Sequence, residues 1–129
     1  NGLRIARDNP VLGVGTGSFK RAFADRTGLR GSEPKKAASH STPVTVAAET
    51  GLPGLALLTW LGAAALLAAF RVPGRSDAAR AALVAGLTLG AIAVHSLFYN
   101  ALFEDPTMWA LLGLLALAVA RKREEVAAA

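Results

Sequence analysis

The sequence contains no cysteine, which excludes a disulfide framework and any thiolate-ligated zinc site. Histidine occurs only twice, too rarely for an imidazole-rich metal cage. Charged residues make up 18% of the chain and are missing altogether from long stretches. What is abundant is apolar: 53% of side chains, above the roughly 45–50% of soluble domains, a figure that even counts glycine. Disorder is excluded by the same numbers, because it requires low hydrophobicity with high net charge. The length of 129 residues permits one domain. The chain opens on Asn1 with Arg4, Arg7 and Asp8, without the basic and then apolar stretch of a signal peptide. A polar start ahead of an apolar half reads as the tail of a longer protein, a fragment expected to be inactive alone.

Three apolar segments follow. Gly51–Phe70 is twenty residues without an ionisable group, about 30 Å of helix, which matches the hydrocarbon core of a bilayer. A soluble core helix would show a polar face at helical period, and none is present. Gly62, Ala63, Ala64 and Ala65 suit close helix–helix approach. A second span is expected over 81–103, with His95, Ser96, Tyr99 and Asn100 in its last third. His95 and Tyr99 would share one face, with His95 about 12 Å below the outer end. A third is expected over 107–120, short at about 21 Å, with Pro106 in its first turn and Trp109 near the interface. The expected fold class is therefore all-α: a multi-pass transmembrane helical bundle fragment preceded by a loop segment with short helices.

Short-loop charges set the orientation. Arg71, Arg75 and Arg80 face Asp77 alone in one loop, and Arg121, Lys122 and Arg123 sit in the tail, whereas Glu104-Asp105-Pro106 has no cation. The positive-inside rule places 71–80 and 121–129 in the cytoplasm and 104–106 outside. By parity, residues 1–50 lie outside too. That segment carries Arg4, Arg7, Lys20, Arg21, Arg26, Arg30, Lys35 and Lys36 against Asp8, Asp25, Glu33 and Glu49. A basic excess on the outer side calls for an anionic ligand.

Within it, Asn9-Pro10 opens a turn into Val11-Leu12-Gly13-Val14-Gly15-Thr16-Gly17-Ser18-Phe19. The alternating glycines resemble a phosphate loop, but no strand precedes them; a tight turn before a helix is the simpler reading. Ser18 is placed to cap a helix through about Ala24 that could lie on a membrane surface. Residues 27–39 form a polar, basic loop. Pro43 suits the first turn of a further helix with Ser41 or Thr42 as N-cap, leaving His40 just ahead of it.

The segments NPVLGVGTGSF, HSTPVTVAAETGLPG and HSLFYNALFEDPTMWALLGLL together resemble the C-terminal half of the bacterial O-antigen ligase family, over nearly all of residues 8–120. That family also includes O-antigen polymerases and protein O-oligosaccharyltransferases. Its signature, His-[Asn/Ser/Gln]-x9-Gly-x2-[Gly/Thr/Tyr], is matched by His40, Ser41, Gly51 and Gly54. The resemblance implies a multi-pass glycosyltransferase of the bacterial inner membrane with residues 1–50 periplasmic. The implied donor is a glycan on undecaprenyl diphosphate. The implied acceptor is a hydroxyl of lipid A–core, of another glycan or of a protein. No cofactor, obligatory metal, nucleotide sugar or nucleic acid is implied.

Transfer to an anomeric carbon needs a group for the hydroxyl proton and a cation for the departing diphosphate. His40 suits the first, with Ser41 as a neighbouring orienting group and Glu49 as a positioning or proton-accepting carboxylate. Arginine suits the second; the family's arginines fall upstream of Asn1, which leaves Arg4, Arg7, Lys20 and Arg21 as weaker candidates here, lipid headgroups being their other use. His95 is expected to make a structural hydrogen bond. Glu104 and Asp105 are candidates for acceptor sugar hydroxyls, although the topology rule alone accounts for them. A transporter or flippase piece for a lipid-linked anion would instead place its polar residues near the midplane on broken helices. A non-enzymatic scaffold would need no outward His-Ser motif.

Overall fold

The computed structural model describes residues 1–28, 39–72, 74, 76–100 and 102–128. Most of the expected polar loop 27–39 therefore lies outside the described residues, as do Arg30, Glu33, Lys35, Lys36 and Arg75. The described residues form five helices and no strand: α1 Gly2–Asp8, α2 Phe19–Thr27, α3 Thr42–Phe70, α4 Asp77–Ser96 and α5 Pro106–Ala127. Two of them, α3 and α4, are long and apolar enough to cross a membrane.

Helix boundaries differ from the sequence expectation in ways that have local causes. The first apolar segment is continuous with the preceding one: α3 starts at Thr42 and is interrupted only at Gly51, whose φ of 71° and ψ of −165° are not helical. Pro53 then falls in the first turn of the second half-helix, where its missing N–H is not needed. α4 starts early because Ser76 caps it, its hydroxyl accepting the Ala79 N–H at 3.3 Å. It ends at Ser96 rather than near 103. α5 starts where expected, with the Asp105 carboxylate accepting the Thr107 N–H at 2.8 Å and Pro106 following the cap. It runs seven residues past Ala120 because Arg, Lys, Glu and Ala are strong helix formers and Lys122 pairs with Glu125 at 3.0 Å. α1 was not anticipated; only Ile5 among its residues is buried, so it offers no apolar periodicity to detect.

The chain divides into two compact units, one of Asn1–Thr59 with Ser96–Asn100 and one of 60–95 with 101–129. The second unit packs through small side chains. Ala69, Ala82, Ala85, Leu89, Met108, Leu115 and Ala118 form its core. A methyl at Gly86 would collide with that of Ala69, so these two residues mark the close approach of α3 and α4. Gly62, expected to serve that role, has open space around it. The large apolar side chains Leu67, Phe70, Leu83, Val84, Leu87, Leu114 and Leu117 point outward. Only 6% of the most apolar stretch of α3 is buried, the reverse of a soluble core helix.

Candidate functional site

The first unit is organised around the break in α3. Gly51 takes a backbone conformation open essentially to glycine alone, and the break leaves backbone groups without helical partners. The Pro10–Gly15 segment supplies them. The Leu52 N–H donates to the Pro10 carbonyl at 2.7 Å, while the Val14 and Gly15 N–H groups donate to the Ala48 and Glu49 carbonyls, both at 2.9 Å. The approach is too close for side chains. A Cβ on Gly51 would lie 2.5 Å from the Val11 carbonyl oxygen, and one on Gly13, at φ 66°, would overlap the Glu49 carbonyl. A Cβ on Gly54 would run into the Thr50 side chain.

Glu49 connects this junction to α2. Its Oε1 accepts the Phe19 N–H at 2.9 Å, filling the helix N-terminus that Ser18, although the N-cap residue, leaves without a side-chain bond. The anion position ahead of α2 is thus occupied by the protein's own carboxylate, against the phosphate-loop reading of the glycines. Phe19 stacks with Phe23, their ring centroids 6.1 Å apart, and packs with Ile5 and Ala48 in the unit's small core. Arg26 pairs with Asp8, tying α2 to α1.

His40 is exposed and immediately precedes the short turn into α3. The Ser39 hydroxyl donates to the Ser41 carbonyl at 3.1 Å and accepts the Ser41 N–H at 3.2 Å. That carbonyl also receives the Thr45 N–H and hydroxyl, both at 3.0 Å, which makes Ser41 the residue that opens the helix, through its backbone. Thr42 is buried, and its hydroxyl donates to the Tyr99 carbonyl at 3.2 Å. The chain end carrying His40 is therefore anchored two residues away.

The sequence candidates thus fall into separate places. Glu49 sits seven residues beyond Thr42, about 10 Å along the axis at helical rise, with its carboxylate engaged on Phe19 rather than directed at the His40 turn. Arg4 and Arg7 are exposed on α1, and Lys20 and Arg21 on α2; none of the described acidic residues pairs with them. His95 stands in the last turn of α4, not 12 Å inside a longer helix, and Tyr99 lies beyond the end of that helix. Asp105 is engaged as the cap of α5, where hydrogen bonds from the Thr107 side chain and then from its backbone hold the carboxyl below the usual carboxylate range. Trp109 donates its indole N–H to the Phe103 carbonyl at 3.0 Å. Sequence reasoning overlooked Thr42 as an anchor and Phe19 as the partner of Glu49, since both bonds join distant segments and leave no local pattern.

No protein-family model, curated protein or solved structure matches the chain.

Proposed function

We propose that the chain is the C-terminal, membrane-spanning part of a glycosyltransferase of the kind it resembles, O-antigen ligase-like. In this reading it moves a glycan from undecaprenyl diphosphate to an acceptor hydroxyl on the periplasmic face of a bacterial inner membrane. The observation that carries the reading is the interlock of the two motif segments. Gly51 of the His-Ser-x9-Gly-x2-Gly pattern and Gly13 of the Pro-x-x-Gly-x-Gly pattern meet at one backbone junction, and His40 stands exposed at the start of the helix this junction holds. The glycines of the two motifs share this one junction, which supports the reading.

The chemistry is the one that the resemblance implies. The acceptor hydroxyl oxygen attacks the anomeric carbon, and the bond from that carbon to the diphosphate oxygen breaks, the leaving group taking the electron pair. His40 takes the hydroxyl proton. The exposed cations Arg4, Arg7, Lys20 and Arg21 supply charge for the lipid diphosphate. Glu49 and Ser41 act by holding structure, Glu49 through α2 and Ser41 through the first turn of α3.

The test is His40→Ala in the full-length protein, scored for membrane expression, glycan transfer and movement of the lipid donor across the membrane. Loss of a general base predicts a fall in transfer of about 10²–10⁴-fold at normal expression. Full transfer by the variant overturns the mechanism. A block in donor movement that precedes any effect on transfer favours a transporter instead.

A further inference from the structure

We infer that the Val11–Leu12 tip of the Pro10–Gly15 segment is a membrane wedge, inserted at the boundary between headgroups and acyl chains beside the first turn of the span that begins at Leu52. The inference rests on the membrane-spanning reading of α3 and is independent of glycosyl transfer.

Val11 and Leu12 are adjacent and are 67% and 81% exposed. A flexible loop could fold such side chains inward, but this one is tied on both sides. Pro10 is held to Leu52, and Val14 and Gly15 are held to the backbone of Ala48 and Glu49. Between those ties Gly13 turns at φ 66° directly against Glu49, which fixes the tip outward. The Leu52 side chain next to the first tie is itself 61% exposed, so the apolar surface of the tip continues into that of the span.

Lipid fits this patch better than protein does. Three side chains make too small a surface for a stable protein interface. The tip is also tied through Pro10 to Leu52, in the first turn of a helical stretch whose Leu57 is exposed as well. On its N-terminal side α1 presents Arg4 and Arg7, the pairing of apolar insertion with flanking cations that suits an anionic bilayer surface. In the proposed transferase the wedge would hold α2 and its cations at the level where the diphosphate of a membrane-borne donor lies.

Leu12→Cys tests this, since no other thiol exists within the 129 residues. The intact protein is labelled with an environment-sensitive fluorophore and reconstituted in vesicles of phosphatidylethanolamine and phosphatidylglycerol, with and without lipids carrying a nitroxide near the top of the acyl chain. Thr16→Cys on the same segment is the aqueous control, and Leu57→Cys the membrane control. The expected result is blue-shifted emission at position 12 with at least twofold stronger lipid quenching than at position 16. Val11→Cys should behave like Leu12→Cys, which guards against a local disturbance. Equal quenching at 12 and 16, or a blue shift without lipid quenching, overturns the wedge, the second outcome meaning that protein covers the tip. Absence of quenching at position 57 overturns the membrane reading itself.

Discussion

The carboxylate of Glu49 accepts the backbone N–H of Phe19 across thirty residues of sequence, at 2.9 Å. Glu49 belongs to the helix that begins beside His40, and Phe19 opens the helix that carries Lys20 and Arg21. One hydrogen bond thus joins the element holding the proposed base to the element holding cations.

A carboxylate that only positions can be replaced by a neutral acceptor; one that receives a proton cannot. Glu49→Gln keeps an oxygen for the Phe19 N–H and should retain transfer within a few-fold. Glu49→Ala leaves that N–H without its partner, at a cost of roughly 1–3 kcal/mol, and should lower both thermal stability and hydrogen-exchange protection of α2. Transfer abolished by Gln at unchanged stability would return Glu49 to a direct role in proton transfer.

Two glycines of the first apolar segment should respond in opposite ways. Gly51→Ala forces a side chain into a glycine-only conformation, costing about 1–3 kcal/mol, and drives its methyl toward the Val11 carbonyl. Gly62→Ala meets open space inside a helix and should stabilise by about 0.5–1 kcal/mol. Unfolding midpoints in the same detergent decide the matter, and equal effects would contradict the described break.

This contrast shows where the sequence could be read and where it could not. The apolar run 51–70 announces a helix by length and by its lack of ionisable groups. Nothing in it says that Gly51, not Gly62, is constrained, because that depends on Pro10 and Val11 arriving from forty residues away. Pro106 was legible as the first turn of α5 because that signal is local, whereas Asp105, read as a sugar-hydroxyl candidate, turns out to be its cap. The end of α4 was not legible: 97–103 is as apolar as the residues before it, yet α4 stops at Ser96, and the Tyr99 carbonyl beyond it accepts the Thr42 hydroxyl. The exposure of His40 followed from its place before Pro43, but its anchoring through Thr42 did not.

Acid should weaken the start of α5. Thr107 holds the Asp105 carboxyl below its usual range, so ionised Asp105 adds stability that is fully present above the unfolded pKa of about 3.9. That stability is lost as pH falls through the lower folded value. Asp105→Asn still caps but does not titrate. The thermal midpoint of the native protein should exceed that of the variant at pH 6, with the gap closing toward pH 3. A gap independent of pH would mean that the charge of Asp105 is not what Thr107 holds.

Thr42 should control the placement of His40 without taking part in chemistry. Its hydroxyl is the link from the first turn of α3 to the Tyr99 carbonyl, and it is buried, so solvent cannot readily replace it. Thr42→Val preserves shape and removes the donor, costing about 0.5–1.5 kcal/mol as a lost hydrogen bond, whereas Thr42→Ser retains it. If the anchor positions the imidazole, Val should lower kcat more than it raises KM, because a misplaced base loses orientation in the reacting complex. Ser should restore kcat. A Val variant with reduced stability but unaltered kcat would confine Thr42 to holding the fold.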